Sequence, residues 1–330
     1  MIRFGLIGTN WITDRFLSGA EEVEQFALRA VYSRTEERAL EFAEKHGIPH
    51  TYTCIEAMVK SGEIDAVYIA SPNSLHSEQA ILCMKHGIHV LCEKPIASNA
   101  RELKAMIEAA KANGVLLMEA LKSTFMPGFA AVRDNLEQVG TVRRYCSTFC
   151  QYSSRYDAYK QGSILNAFDP AFSNGALMDI GIYCIYPAVV LFGRPDEIKA
   201  TGYMLESGVD GEGSILLKYK GMEAVVMYSK ITDSSLPTEI QGESGTITID
   251  KISEPKQIML RHRSGSTENL SRPTSERTMS YELQEFIGLI ERGELESRVN
   301  SFDTSLAVME IIDEARRQLG LVYPADTAAE

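Results

Sequence analysis

Short apolar runs alternate with amphipathic segments through the first 120 residues, and this alternation constrains the fold more than any other feature of the chain. The apolar runs have the length of buried strands and lie at residues 2–7, 27–33, 66–70, 88–91 and 115–118. Between them, residues 36–46 and 99–112 carry apolar side chains three and four positions apart, which is the period of an amphipathic helix. Strands joined by helical crossovers pair in parallel and are covered by helices on both faces. The sequence therefore predicts an α/β domain over residues 1–120.

The pattern changes after Pro127, where turn signals such as Lys220-Gly221 separate β-rich runs. These runs lie at residues 144–152, 197–205, 213–220, 222–230, 238–242 and 246–250, with helical patterns at 129–138, 176–191, 281–293 and 301–319. The polar stretch 263–276 is expected to be a mobile loop. Residues 121–330 are predicted to form an α+β domain with a large, mainly antiparallel, open sheet. Because an uncovered sheet face exposes apolar surface, we expect a homodimer or a dimer of dimers.

Composition limits the classes of partner. The net charge of −12 disfavours binding to nucleic acid or to anionic membranes, since both favour clustered cations. No apolar stretch is expected to reach the ~20 residues that span a bilayer, and the N-terminus runs into a strand without a signal peptide. The six cysteines form no CxxC pair and the six histidines do not cluster, which predicts reduced thiols and no metal site. These features predict a soluble cytoplasmic protein.

The turn after the first strand keeps one glycine of the dinucleotide-binding fingerprint G-x-G-x-x-G. The three glycine positions fall on Gly8, Asn10 and Thr13. Gly8 makes the tight turn, and asparagine is the non-glycine residue that best tolerates a left-handed backbone, so the turn can still form with Asn10. The segment follows a strand and opens a helix, as the fingerprint requires. The predicted cofactor-binding residues of this turn are Gly8, Thr9, Asn10, Trp11 and Ile12.

The end of the second strand favours NADP over NAD. Domains specific for NAD usually carry an acidic residue here for the ribose hydroxyls, whereas this chain has Ser33 and Arg34, followed by Arg38. Serine and guanidinium groups donate hydrogen bonds to a 2′-phosphate that a carboxylate would repel. The alternative is that both arginines only pair with Glu37 and Glu41 along a solvated helix face.

A third polar segment follows the apolar run 66–70. Pro72 and Asn73 form a turn, and the next helix starts close by, so backbone N–H groups face the crevice at the sheet edge. We therefore predict that Ser71, Pro72, Asn73 and His76 bind the cofactor. For His76 the alternative is a structural hydrogen-bonding role.

Lys94, between Glu93 and Pro95 at the end of the run 88–91, is the strongest candidate for chemistry. In an open parallel sheet, ligands bind beyond the carboxyl ends of the strands. A lysine delivered there from an apolar strand is partly desolvated, which favours proton transfer from its ammonium. Pro95 restricts the backbone of Lys94, so the Lys94 side chain is held in a limited range of directions. The alternative is a surface lysine beside a helix-initiating proline.

These motifs, in this order and spacing, resemble those of the Gfo/Idh/MocA oxidoreductases. The resemblance covers nearly the whole chain and rests on Ser71-Pro72-Asn73 with His76, Cys92-Glu93-Lys94-Pro95, Met118-Glu119-Ala120 and the run from Gly175 to Tyr183. It implies a Rossmann domain, a substrate domain with an open sheet, and hydride transfer between NAD(P) and a sugar, polyol or cyclic alcohol. By the same resemblance, Glu93 and Pro95 hold Lys94 beside the nicotinamide.

The resemblance also assigns three catalytic residues: Lys94, Asp179 and Tyr183. Tyr183 replaces the commoner histidine, which is similar to the subgroup that contains dimeric dihydrodiol dehydrogenase and NADP-linked xylose dehydrogenases. Asp179 and Tyr183 are four residues apart on a predicted helix, so both project from one face. A phenol near a cation can exchange the proton of an alcohol while hydride leaves for the nicotinamide, and Asp179 would position the hydroxyl. The alternative is a packed tyrosine beside a capping aspartate.

One departure limits what the resemblance implies. Lys122 and Thr124 stand where that subgroup carries a tryptophan and an arginine, so the predicted pocket is more polar and the substrate stays open. The predicted substrate-binding residues are Lys94, Lys122, Tyr152, Asn166, Asp179 and Tyr183. A non-catalytic NAD(P)-binding regulator of the same fold is the main alternative function, and the presence of all three catalytic residues favours the enzyme. A methyltransferase on a similar fold lacks its own motifs here.

Overall fold

The computed structural model describes residues 1–327, which divide into two compact units. The first unit combines residues 1–121 with residues 277–302, and the second combines residues 122–276 with the described residues from 303 onwards. The chain therefore passes between the units three times. The assignment of cofactor binding to residues 1–120, and of substrate binding and oligomerisation to residues 121–330, stays a prediction.

The strands within residues 1–327 lie in two sheets. They are β1 (Ile2–Ile7), β2 (Phe26–Tyr32), β3 (His50–Tyr52), β4 (Ala66–Ile69), β5 (His89–Glu93), β6 (Leu117–Ala120), β7 (Val142–Cys150), β8 (Glu197–Met204), β9 (Asp210–Tyr219), β10 (Met222–Ser229), β11 (Thr238–Gly242), β12 (Gly245–Ile249), β13 (Ile258–His262) and β14 (Thr267–Asn269). The first six strands belong to the first unit and the others to the second.

The α-helices of the same residues include long amphipathic helices and single turns. They are α1 (Trp11–Ala20), α2 (Glu36–His46), α3 (Ile55–Lys60), α4 (His76–Lys85), α5 (Ala100–Asn113), α6 (Pro127–Asn135), α7 (Tyr156–Lys160), α8 (Ile182–Phe192), α9 (Ser280–Glu291), α10 (Phe302–Leu319) and α11 (Pro324–Thr327). Asn99 is the N-cap of α5, because its side chain accepts a hydrogen bond of 2.9 Å from the backbone N–H of Glu102.

The sheet of the first unit is parallel throughout, in the order β3-β2-β1-β4-β5-β6. This is the order of the doubly wound dinucleotide-binding fold, so the predicted α/β class is confirmed. Most of its strands are continuous apolar runs because helices cover both faces. The sequence analysis missed β3, since its three half-buried residues at the sheet edge carry no apolar run.

The second sheet has the order β14-β13-β12-β11-β7-β10-β9-β8 and is antiparallel except where β7 pairs with β10. Helix α8 packs on one face, where the Tyr145 hydroxyl donates a hydrogen bond of 3.0 Å to the backbone oxygen of Cys184. The predicted mainly antiparallel sheet is confirmed.

Two expectations about the second half of the chain need correction. The stretch 263–276, predicted to be a mobile loop, is interrupted by β14, whose exposed polar residues pair with β13 at the sheet edge and therefore lack an apolar pattern. The rest of the stretch contains no helix or strand, and its mobility stays a prediction. Helix α9, expected beside the second sheet, belongs to the first unit and packs against α1. Its buried Phe286 lies 5.9 Å from the ring of Phe4, measured between ring centroids.

The stretch Pro170–Phe192 is long and apolar enough to cross a membrane by length and composition alone, and 72% of its apolar window is buried. The expectation that no stretch reaches this length was therefore wrong, because the predicted helix 176–191 covered only part of it. Residues such as Ile185 and Tyr186 are fully buried in the folded unit. The core helix of a soluble protein passes the same test, so the stretch is weak evidence for a membrane span.

Candidate active site

The carboxyl ends of β1 and β4 define the switch point of the first sheet, because the strand order runs outward in both directions from this pair. The two strand ends are joined by a hydrogen bond of 2.8 Å from the backbone N–H of Ala70 to the oxygen of Ile7. Dinucleotides bind at this position in doubly wound sheets. The turns that follow β1, β2, β4 and β5 all start from this edge, since the four strands are parallel.

Gly8 allows the turn after β1 to pass close to the end of β4. Its φ angle is +114°, and a Cβ atom at this position would lie 2.6 Å from the backbone oxygen of Ala70. The buried Thr13 hydroxyl donates a hydrogen bond of 3.0 Å back to the Gly8 oxygen. The turn therefore delivers the chain directly into the N-terminus of α1, where the helix dipole favours a phosphate group. These residues fit a dinucleotide.

Asn10 supports this turn in a different way from the one expected. Its backbone is extended (φ −104°, ψ 179°), so the expectation of a left-handed asparagine was wrong. The side-chain oxygen instead accepts a hydrogen bond of 3.0 Å from the N–H of Ile12, and the side-chain nitrogen donates one of 2.7 Å to the oxygen of Ala70. Asn10 is thus the N-cap of α1 and a link to β4. Trp11 beside it is 59% exposed, and the cofactor contacts predicted for Trp11 and Ile12 stay predictions.

Arg38 crosses from α2 to the turn after β1. Its guanidinium donates hydrogen bonds of 2.7 Å to the Thr9 backbone oxygen and of 3.2 Å to the Thr9 hydroxyl, and it pairs with Glu41 at 2.6 Å. The alternative of pairing along the helix accounts for the Glu41 contact but not for the contacts with Thr9. Ser33 is half-buried at the end of β2 and Arg34 is exposed. Their predicted contact with a 2′-phosphate stays a prediction.

The backbone around Lys94 is held by two buried carboxylates. Glu93 accepts a hydrogen bond of 2.6 Å from the Tyr68 hydroxyl, and its other oxygen accepts one of 3.2 Å from the backbone N–H of Lys94. Glu119 accepts a hydrogen bond of 3.0 Å from the backbone N–H of Ile96. The Lys94–Pro95 peptide bond is cis, and the Lys94 side chain is half-buried. Tyr68 was missed by the sequence analysis, although a phenol within the buried run of β4 is a signal of a hydrogen-bonding role.

His76 connects the turn after β4 to the turn after β5. Its Nδ1 lies 2.9 Å from the oxygen of Pro95, and its Nε2 lies 2.9 Å from the oxygen of Ser71. Full burial lowers the pKa of His76, the two carbonyl contacts oppose this, and the charge of Lys94 lowers the pKa further. Both ring nitrogens are engaged by the backbone, as in the structural alternative. The predicted cofactor contacts of His76, Pro72 and Asn73 stay predictions.

In the second unit, Asp179 and Tyr183 lie on one continuous helical segment. Residues Leu177–Gly181 form a π-helical turn that leads directly into α8. Such turns inside helices occur frequently at functional sites. The ring of Tyr183 meets the edge of Phe149, with 5.7 Å between centroids and an angle of 74°. The predicted helix is therefore present, with Asp179 in its π-helical first part.

Two charged residues bind this segment, one at the start of β9 and one directly after β10. The sequence analysis missed both. The buried Lys230 places its Nζ 2.7 Å from Oδ2 of Asp179. The buried Asp210 accepts a hydrogen bond of 2.7 Å from the backbone N–H of Leu177. Burial raises the pKa of Asp210 to about 6, opposed by that hydrogen bond. Lys230 stood within the predicted strand 222–230, where a charged residue at the end of an apolar run was the available signal.

The other predicted pocket residues also lie in the second unit. Lys122 is buried and pairs with Glu254. The Tyr152 hydroxyl donates a hydrogen bond of 2.8 Å to Asp157 and accepts one of 2.7 Å from Lys160. Asn166 is exposed in a single 3₁₀ turn. The substrate contacts predicted for Lys122, Tyr152 and Asn166 stay predictions.

The described residues contain no group of three or more His, Cys, Asp or Glu side chains that could hold a metal ion. The six cysteines are free thiols. Burial raises the pKa of Cys83 and of Cys184 to about 12, so neither thiol is a nucleophile at neutral pH. The expectation of a site without a metal stays a prediction.

Two family models match the chain. Residues 2–121 match the model described as "Oxidoreductase family, NAD-binding Rossmann fold", and residues 130–248 match the GFO/IDH/MocA C-terminal domain. Together these matches cover more than half of the chain. The chain therefore belongs to the Gfo/Idh/MocA family of oxidoreductases.

Individual relatives agree with this class. The chain is 58% identical over 328 residues to the scyllo-inositol 2-dehydrogenase (NADP(+)) IolU of Bacillus subtilis, covering 99% of this chain and 100% of the relative. It is 32% identical over 307 residues to a trans-1,2-dihydrobenzene-1,2-diol dehydrogenase of Xenopus tropicalis, covering 89% and 90%. The crystal structure of KijD10, a 3-ketoreductase of Actinomadura kijaniata in complex with NADP and TDP-benzene, matches with a TM-score of 0.83 and 25% identity, covering 96% and 98%.

The chain is accordingly an NAD(P)-dependent oxidoreductase that acts on CH–OH groups. The predicted family, its dihydrodiol dehydrogenase-like subgroup, the fold class and the enzyme class are confirmed.

Proposed function

We propose that this protein is an NADP-preferring dehydrogenase of an inositol-type cyclic polyol, with Lys94, Asp179 and Tyr183 as its catalytic residues. The observation that carries the proposal is the 58% identity, over nearly the full length of both chains, to a protein named as an NADP-dependent scyllo-inositol 2-dehydrogenase. A cyclic polyol also suits the predicted pocket, where Lys122 and Thr124 stand at positions that the resemblance gives to a tryptophan and an arginine, since such a substrate offers many hydroxyl groups and no charge.

In the proposed reaction a secondary alcohol becomes a ketone, and a nicotinamide cofactor held at the turn after β1 would take up the hydride from the carbon that carries the hydroxyl. The O–H bond of the same hydroxyl breaks, and its proton passes to the phenolic oxygen of Tyr183, which releases a proton to solvent. Asp179 accepts a hydrogen bond from a substrate hydroxyl and orients it. The Lys94 ammonium stabilises the negative charge that develops on the oxygen as its proton leaves. In the reverse direction Tyr183 would protonate the oxygen of the ketone while the reduced nicotinamide would supply the hydride.

The preference for NADP is proposed from the end of β2. The strand is followed by Ser33 and the exposed Arg34 rather than by a carboxylate, and Arg38 already contacts the turn after β1. A guanidinium at this edge donates hydrogen bonds to a 2′-phosphate. Arg34→Ala should therefore weaken NADPH binding far more than NADH binding. Equal losses for the two cofactors would contradict the assignment of Arg34.

We further propose that the protein forms a homodimer or a dimer of dimers in the cytoplasm. Tyr203 on β8 is 59% exposed and Leu216 on β9 is 50% exposed, so the second sheet presents large apolar side chains to solvent. Free cysteines favour a reducing compartment. Light scattering should give at least twice the 36.6 kDa chain mass, and Leu216→Glu should reduce it. A monomeric wild-type protein would refute the assembly.

The function is tested by following cofactor absorbance at 340 nm, a standard wavelength for reduced nicotinamide, across a panel of inositols, aldoses and diols with both cofactors. Turnover should be fastest with an inositol and NADP. Lys94→Ala and Tyr183→Phe should each lower kcat by about 10²-fold or more, because the first removes the charge that stabilises the developing alkoxide and the second removes the group that exchanges the proton. Unchanged turnover in Lys94→Ala would remove its assigned role. Tight NADPH binding without turnover on any panel member would favour the non-catalytic regulator.

A further inference from the structure

Lys230 is a buried lysine whose ammonium has three distinct neighbours. Its Nζ lies 2.7 Å from Oδ2 of Asp179, 3.4 Å from the backbone oxygen of Ala167, and 5.3 Å from the centre of the Phe168 ring. Only 4% of the residue is exposed. An ammonium in such a place is costly unless a carboxylate and further acceptors surround it. Each of the three neighbours supplies part of that compensation.

The strands β9 and β10 hold the helical segment of Asp179 at two points. The backbone N–H of Lys230 donates a hydrogen bond of 2.9 Å to the oxygen of Gly211, so Lys230 lies next to Asp210 across the strand pair. Asp210 binds the backbone N–H of Leu177, and Lys230 binds the side chain of Asp179. The segment is therefore fixed at the main chain of Leu177 and at the side chain of Asp179, two residues later.

We propose that Lys230 is a positioning residue that fixes the orientation and the negative charge of Asp179 for the substrate hydroxyl. This inference rests on the proposed role of Asp179. A carboxylate bound by an ammonium through one oxygen cannot rotate freely, and its two oxygens together offer about four acceptor sites, more than one ammonium can occupy. Lys230 thereby lowers the cost of orienting the substrate at the moment of reaction.

The same ammonium connects Asp179 to the turn that begins at Asn166. Because Lys230 contacts the oxygen of Ala167 and the ring of Phe168, it fixes the two residues that follow Asn166. A change at Lys230 would therefore move both the carboxylate and this turn. Loss of Lys230 should raise KM as well as lower kcat, whereas loss of orientation at Asp179 alone acts mainly on kcat.

The elements packed against the segment that carries Asp179 contribute six ionisable groups. They are Tyr228 of β10, Lys230 directly after β10, Asp210 and Glu212 of β9, Cys150 of β7 and Tyr183 of α8. Lys230 is the cation among these six, and it contacts Asp179 directly. Removal of this charge should therefore move the acidic limb of the kcat/KM profile to higher pH, because a carboxylate without its cation gains a proton more easily.

The kinetic test compares Lys230→Met and Lys230→Arg with the matched control Lys60→Met. Lys60 forms an exposed ion pair with Glu56 in the first unit, so its loss removes a lysine without touching Asp179. Lys230→Met should lower kcat/KM by about 10- to 100-fold and shift the acidic limb upward. Lys230→Arg should recover most of the activity and restore the acidic limb to its wild-type pH. Lys60→Met should leave both kcat/KM and its pH profile unchanged. A folded Lys230→Met protein with the wild-type kcat/KM and the wild-type pH profile would overturn the proposal.

A second measurement needs no substrate. The unfolding temperature is measured for the wild type, Lys230→Met, Asp179→Asn and the double variant. Each single change should lower the unfolding temperature by roughly 5 °C or more, because it removes the ion pair between Lys230 and Asp179. The double variant should lose less than the sum of the two single losses. Strictly additive losses would overturn the pairing. If Asp179→Asn keeps full turnover, the proposed function of Asp179 fails while the unfolding cycle still decides the pairing.

Discussion

The carboxylate of Asp210 accepts a hydrogen bond of 2.7 Å from the backbone N–H of Leu177, at the start of the segment that carries Asp179. This places a fully buried acid at the beginning of a helix. The helix start favours the charged form, but burial outweighs it and raises the pKa of Asp210 from 3.8 to about 6. The segment that carries Asp179 is thus held by a group that titrates close to physiological pH.

The first prediction concerns the pH dependence of stability. Because the folded-state pKa of Asp210 is raised, the folded protein binds this proton more tightly than the unfolded chain. The charged carboxylate therefore costs stability above about pH 6, and the cost disappears as the pH falls from 6 toward 4. The free energy of unfolding of the wild type minus that of Asp210→Asn should therefore change by up to roughly 3 kcal/mol across this range. A difference in unfolding temperature that is constant from pH 4.5 to pH 7.5 would contradict the raised pKa.

The second prediction concerns Tyr68, whose hydroxyl donates to Glu93 at 2.6 Å while its ring stacks on Phe16. Tyr68→Phe keeps the stack and removes the donor from a buried carboxylate, which should cost about 1–3 kcal/mol of stability. Because Glu93 also holds the backbone N–H of Lys94, kcat should fall as well.

The matched control for this change is Tyr145→Phe, which removes another buried hydroxyl, donated to the oxygen of Cys184 in the second unit. We expect a comparable loss of stability with a smaller change in kcat. Chemical denaturation and steady-state kinetics on both variants check the prediction. Equal kinetic effects of the two changes would mean that Tyr68 acts only through general stability.

The third prediction separates the two arginines near the cofactor edge. Arg38 contacts the backbone of Thr9, so its removal should loosen the turn that both cofactors use. Arg38→Ala should weaken NADPH and NADH by similar factors, roughly tenfold each, equivalent to about 1.4 kcal/mol. Fluorescence titration with both reduced cofactors measures the ratio of the two losses, and Arg34→Ala, expected to weaken NADPH far more than NADH, is the control. A loss confined to NADPH would show that Arg38 serves the phosphate rather than the turn.

The sequence was sufficient to predict those parts of the fold that depend on local pattern. Helix α2 has the predicted bounds because its apolar positions, its threonine N-cap and its C-terminal glycine all agree. Strand β13 was missed although its buried residues alternate with more exposed ones. Strands β3 and β14 were missed because they are short, polar edge strands defined by their pairing partners. Their existence depends on backbone hydrogen bonds to a neighbour that the local pattern does not encode.

The supporting residues of the site were harder to predict than the residues proposed for chemistry. Lys94 and Asp179 stand in motifs of fixed spacing, whereas Lys230 is 51 residues from Asp179 in sequence. Asn10 shows the same limit, since its side chain links to Ala70, 60 residues away. Contacts of this kind arise from strand order and register, so one sequence without its pairing pattern does not identify them.

The fourth prediction concerns Gly8, where two constraints coincide. Its φ angle of +114° strains any other residue, and an added Cβ would lie 2.6 Å from the backbone oxygen of Ala70. Gly47 at the end of α2 also has a positive φ angle, +67°, but nothing lies within 4 Å of its Cβ position. Gly47→Ala should therefore lower the free energy of unfolding by only about 1 kcal/mol and leave cofactor binding unchanged.

Gly8→Ala should lose NADPH affinity by at least tenfold, or unfold at a much lower temperature, because β4 must move to admit the methyl group. Calorimetry and fluorescence titration on both variants decide the matter, and similar behaviour of the two alanines would mean that the turn after β1 does not need its close approach to β4.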